Sequence, residues 1–214
     1  MLINLRKIPS KFHWLVWLAP LIPLIWVTDL TGLFWLGFTV LALIFVEASR
    51  KPTFALVHRS YLVSIGIGLV AGLVLALIGN GLLEPWVERL TGSKIDLSQF
   101  ANIEGNLGKY FGLLVLGLVF GGIVEEVFFR GYFIGWGSKI FGEKWSLPLV
   151  VLISFVFGYG HLYQGISGFI VSVFCSIVFG LVYVFSGRKL LPVIMTHMTY
   201  NFIGITQIYL YGVG

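Results

Sequence analysis

Charge is what this sequence has least of. Of its 214 residues 11% are charged, where a soluble domain carries about a quarter. Nine acidic and fourteen basic side chains cannot cover the surface of a water-soluble protein with this much Leu, Val, Ile and Phe. A cytosolic enzyme, a secreted disulfide scaffold and a disordered tail are therefore excluded. Cysteine is almost missing too. Cys175 stands alone inside an apolar run, so neither an intrachain disulfide nor a cysteine-based zinc cluster can form. No low-complexity segment stands out, and no internal repeat of the kind transporters often show is visible. What is abundant is hydrophobic sequence, 58% of the chain. The expected fold is all-α, a polytopic transmembrane helical bundle whose partners are the lipid bilayer and whatever reaches its interior.

The net charge of +5 would suggest nucleic acid in a soluble protein. Here it reflects the Lys/Arg excess that membrane proteins keep on cytoplasmic loops, and no nucleic-acid partner is expected. A bilayer core of about 30 Å takes about 20 apolar residues per helix. Runs of that kind suggest about seven spans, over residues 12–27, 33–46, 61–83, 109–133, 147–160, 166–185 and 190–211. The charged start, Arg6, Lys7 and Lys11, before an apolar run resembles a signal peptide. Thr28-Asp29-Leu30 is no small-residue cleavage site, so a retained first helix is expected. Between the third and fourth spans, residues 84–108 mix charges with Trp86, Leu90, Ile95, Leu97 and Phe100 and suit an outer interfacial segment. With the N-terminus inside, the inner segments hold Arg50, Lys51, Arg59, Lys139, Lys144, Arg188 and Lys189 besides the first three. The outer ones hold Arg89, Lys94 and Lys109, offset by Glu84, Glu88, Asp96 and Glu104. That asymmetry predicts an N-in, multi-pass protein of the cell membrane.

Glycine, with 27 residues, falls largely inside spans. Gly68 with Gly72, Gly117 with Gly121 and Gly131 with Gly135 each have small-xxx-small spacing, read as close helix packing rather than as a dimer interface. The chain is expected to be a single integral membrane domain, with N-terminal spans and interfacial segment over 1–108 and a chemistry-bearing core over 109–214.

Apart from His13 and Lys109 at span starts, few ionisable residues lie within or at the far ends of spans: Glu125, Glu126 and Arg130 in the fourth, His161 at the end of the fifth, His197 in the seventh. A charge at the bilayer centre costs from about 2.5 kcal/mol upward, so such residues are functional candidates. Glu126 and Arg130 are four apart and can meet on one face. Glu125 points about 100° away and faces something else. His197 and Asn201 are also four apart and present an imidazole beside an amide. Taken singly, each group has a plain structural explanation: an ion pair, a helix-end histidine, a polar contact between helices, and packing for Phe157. Their gathering on three spans of the C-terminal half is what points to a site. Amide hydrolysis needs a base for water and donors for the tetrahedral oxyanion, and these residues supply both. Counted from the inner helix ends, His197 lies about 10 Å deep, Glu125 about 12 Å and His161 about 21 Å, so one shared layer does not follow from the count.

Glu125-Glu126-Val127-Phe128-Phe129-Arg130 resembles the EExxxR motif of the CPBP family, also called the Abi or CAAX-protease-like family of intramembrane proteases. Phe157-Gly158-Tyr159-Gly160-His161 is similar to its FxxxH motif, and His197-Met198-Thr199-Tyr200-Asn201 to its HxxxN motif. The resemblance covers residues 108–211 and shows no departure in the three motifs. It implies an endopeptidase acting on a membrane-associated or lipidated protein or peptide substrate. It also implies that Glu125 activates water together with His161, that His197 and Asn201 form the oxyanion site, and that Glu126 and Arg130 support the arrangement. Catalytic candidates are thus Glu125, Glu126, His161, His197 and Asn201, with Arg130 and Phe157 supporting. No cofactor is expected. Zinc on two histidines and a glutamate is the alternative, although the HExxH spacing that puts two ligands on one helix is missing. Two other classes compete: a proton-coupled transporter, since intramembrane Glu, His and Arg also build relays, and a non-catalytic peptide-binding or immunity protein.

Overall fold

Two prolines decide how the chain begins. In the computed structural model, which describes residues 8–25 and 31–213, α1 spans only His13–Leu18 before the chain tightens into a 3-10 stretch, Ala19–Ile25, holding Pro20 and Pro23. Proline lacks the N–H that an α-helix needs and clashes with the preceding turn. The expected first span, 12–27, is therefore not one regular helix over its described part, and its last two residues lie outside the described ones. α2, Thr31–Phe45, ends where Val46 turns extended, and α3 covers Glu47–Thr53.

α4, Tyr61–Ile78, starts on Ser60, whose Oγ accepts the Val63 N–H at 3.2 Å, meeting one orphan donor of the first turn. It runs through a π segment, Gly79–Leu83, into α5, Glu84–Thr91, and stops at Gly92 with φ 70°. Left-handed backbone at that position suits glycine. The continuous stretch Tyr61–Thr91 outruns the expected 61–83 and takes in the first residues of the expected interfacial segment. α6, Leu107–Leu116, is capped by Asn106, whose Oδ1 accepts the Lys109 N–H at 3.1 Å. It widens into a 20-residue π segment, Gly117–Trp136, and closes as α7, Gly137–Phe141. α8 is Ser146–Gly160, α9 Gly165–Phe185 and α10 Leu190–Tyr211. No strand occurs among the described residues. Three stretches, Tyr61–Thr91, Leu107–Phe141 and Leu162–Phe185, are long and apolar enough to cross a membrane. The remaining helices fall short of that measure: α8 has 15 residues, and α10 carries His197, Asn201 and Gln207.

The glycine pairs are spent inside the chain. A Cβ on Gly72 would sit 2.5 Å from Thr199 Cβ and 2.7 Å from Thr196 O, and one on Gly68 would collide with Met195 and Pro192. α4 therefore lies backbone-close along α10. Gly117 and Gly121 face Ile205, Asn201 and His197 on α10, while Gly131 and Gly135 face Thr53, Pro52 and Tyr183. Small residues at these places let helices approach closely where lipid offers no hydrophobic drive between them. The first helix is pinned to the same π segment: Trp17 Nε1 donates to Phe133 O at 3.0 Å, and Tyr132 donates to Val16 O at 2.8 Å.

The loops gather at two ends. At one, Leu190 and Leu191 N–H donate to Ala55 and Leu56 O at 2.8 Å each, and Arg188 pairs with Glu143, which also takes Lys139 at 2.7 Å. Those two cations hold the Glu143 carboxyl below the usual carboxylate range. At the other end, Asp96 N–H donates to Gln164 O and Gly105 N–H to Tyr209 O, both at 3.0 Å.

Candidate active site

The polar residues of the three motifs come together from the π segment, α8 and α10. Glu125, His161, His197 and Asn201 line one cavity of about 510 Å³, a size typical of small-molecule or peptide pockets. His161 follows α8, and its Nδ1 lies 3.0 Å from Phe157 O while its ring stacks on Phe157 at 4.6 Å. A ring nitrogen against a carbonyl must donate, so the Nε2 of a neutral His161 keeps its lone pair. Phe157 thus does more than fill space. It orients the imidazole from both its backbone and its ring.

Glu126 and Arg130 do not line the cavity; they sit behind it. Both are fully buried, and Arg130 donates to Glu126 Oε1 at 3.0 Å. The same Oε1 lies 2.7 Å from His197 Nδ1. With Nδ1–H donating to a carboxylate, the Nε2 of His197 carries a proton only when the ring is an imidazolium. Arg130 also donates to Ser176, through the carbonyl at 3.0 Å and Oγ at 2.7 Å, and lies over the rings of Phe157 and Phe179. Phe179 also stacks on His197 at 4.4 Å. A buried charge is tolerable when it is paired; Arg130 Nε and Glu126 Oε2 remain without a hydrogen-bond partner among the described residues.

Asn201 Nδ2 donates to Gly117 O at 3.0 Å, leaving its second N–H for another acceptor. A Cβ on Gly121 would lie 2.5 Å from Asn201 Nδ2 and 3.5 Å from His197 Nε2. The bare backbone of Gly121 therefore leaves room for both donors at the cavity wall. Glu125, one residue before the sealed Glu126, is half-buried and within electrostatic reach of His197, His161, Glu126 and Arg130.

The mismatch in depth between His161 and Glu125 has a simple origin. The helix holding Glu125 runs on to Phe141, which places Glu125 about 24 Å from its end, close to the depth counted for His161. His197 is shallow only by count, because Leu190, where α10 starts, is itself buried. Ser176 and Phe179 were not picked out by sequence, and Gly121 stood out there only for helix packing. Ser172 and Ser176, four apart and both buried on α9, lie on the face turned to the motifs: Ser172 lines the cavity and Ser176 holds Arg130. No group of three His, Cys, Asp or Glu is placed to hold a metal ion among the described residues.

A carboxylate, two oriented imidazoles and an amide around one cavity, among helices apolar enough to cross a membrane, have the make-up of a membrane hydrolase. Residues 107–203 match the family model described as Rce1-like, type II CAAX prenyl endopeptidase Rce1-like. Over that segment the chain is similar to this CAAX protease family, a family of peptidases. Comparison with curated proteins and with solved structures found no match.

Proposed function

We propose that the protein is an intramembrane endopeptidase that cleaves a peptide bond of a membrane-associated or lipidated protein or peptide. Glu125 takes a proton from water that also hydrogen-bonds to the lone pair of His161 Nε2. The hydroxide oxygen attacks the substrate carbonyl carbon. The oxygen that gains charge is met by the free N–H of Asn201 and by Nε2–H of His197, a preorganised pair of donors. Glu125 then hands its proton to the departing amine as the C–N bond breaks. Glu126, Arg130 and Ser176 hold His197 in place from behind. In this reading residues 109–214 are the catalytic core of a protein that spans the cell membrane about seven times, N-terminus inside.

The observation that supports it is the sorting of the two adjacent glutamates: Glu125 opens to the cavity with His161 and Asn201, and Glu126 is sealed with Arg130. Mass spectrometry of membrane peptides from cells carrying wild type or Glu125→Gln tests it. Fragments present with wild type should vanish with the variant, while the amount of folded protein stays the same. Near-normal turnover by Glu125→Gln would take the base role away from this residue.

A further inference from the structure

The cavity has a second carboxylate. Glu84, at the start of α5, lines the same space as Glu125, and no lysine or arginine lines it among the described residues. Glu84 is half-buried and carries one long hydrogen bond, from Tyr200 OH at 3.4 Å. Tyr200 also bonds to Cys175. The nearby acid, Glu88, is occupied otherwise, accepting the Ile95 N–H at 2.9 Å. Glu84 reaches the cavity because the π segment Gly79–Leu83 lies directly before it. A single π turn adds a residue and swings everything after it to a new face, and such turns recur at functional sites. Asn80, one turn before Glu84, also lines the cavity.

A half-buried carboxylate without a cation beside it is an incomplete ion pair, stabilised by whatever cation enters. Tyr200 is three residues after His197 on α10, about 4.5 Å along the axis. An extended chain covers about 3.3–3.6 Å per residue. We infer that Glu84 is a specificity residue that receives a lysine or arginine side chain of the peptide substrate within about three residues of the scissile bond. This rests on the endopeptidase reading for its word "scissile" but not for its binding chemistry. Glu84 lies outside the segment 107–203 matched to the family.

Full-length protein carrying Glu125→Gln, solubilised in mild detergent, allows binding to be read without cleavage. The probes are a fluorescein-labelled apolar peptide of about 20 residues with one lysine, stepped along the sequence, and its counterpart with glutamine in place of lysine. At the best position the lysine peptide should bind about tenfold tighter, equal to about 1.4 kcal/mol. Adding Glu84→Gln should erase that preference and leave the glutamine peptide's affinity unchanged. Glu84→Asp should keep the preference, which separates lost charge from a disturbed fold. Equal binding of the two peptides at every position, or a preference untouched by Glu84→Gln, would overturn the inference. If the preference holds but protein with Glu125 intact cleaves neither peptide, the inference stands and the protease reading falls.

Discussion

Breaking the Glu126–Arg130 pair one partner at a time should cost more than removing it whole. The two side chains are 0% and 1% exposed and 3.0 Å apart. At an effective dielectric of about 20, unit charges 3–4 Å apart attract by about 4–6 kcal/mol. Arg130→Met leaves a buried carboxylate whose remaining partner is His197. Glu126→Leu leaves a buried guanidinium on the carbonyl and hydroxyl of Ser176. Each single change should destabilise by about 3–5 kcal/mol. The double variant removes both charges and leaves His197 Nδ1 without its acceptor, a residual cost of about 1–3 kcal/mol. Its loss should therefore fall short of the sum of the singles by about 3 kcal/mol or more. Pulse proteolysis of detergent-solubilised protein across a denaturant series measures all three. Losses that add to within about 0.5 kcal/mol would show that the two residues do not act as a pair and that the sealed carboxylate has another partner.

Gly121→Ala should push the Asn201 amide off its place and lower the rate by about 100-fold with little change in thermal stability, because the clash falls on the tip of a movable side chain; an unaffected rate would remove Asn201 from the oxyanion site. Ser93→Cys, at the end of the bundle with Asp96 and Gln164, should react with a membrane-impermeant thiol reagent from outside, and labelling from the cytoplasmic side alone would reverse the proposed orientation. Purified protein should keep cleaving after exhaustive chelation with bound metal quantified, whereas activity that tracks zinc occupancy and returns with added zinc would establish the metal alternative.

The helices and the make-up of the site were legible because they depend on local pattern. Apolar runs located α4, the stretch from α6 through the π segment, α8, α9 and α10 to within a few residues at most ends. Spacing of four foretold that Glu126 meets Arg130. The rest depends on tertiary packing. That Glu126 also binds His197 could not be read from spacing, since the two are 71 residues apart. Glu84 looked like a loop charge because it stands among charges in a segment of mixed polarity. Helix continuation through Gly79–Leu83 is what moves it to the cavity, and the two glycines there look like a stop signal rather than a turn of wider helix. Ser176 carried too weak a signal, one hydroxyl in an apolar run, although it supplies two of the contacts that hold Arg130.

The seam between α4 and α10 bears on where this protein can be cut. Likeness to relatives begins at residue 107, which invites use of the C-terminal half as an expression unit. Yet α10, which supplies His197 and Asn201, presents Pro192, Met195, Thr196 and Thr199 to Gly68 and Gly72. A fragment starting at 107 would strip that face and leave two site residues on a helix with one flank bare. The unit that folds is thus larger than the unit that is recognisable. Two coexpressed pieces divided between Thr91 and Leu107 would keep the seam whole, because each piece would carry complete helices and the glycines would still find their threonines.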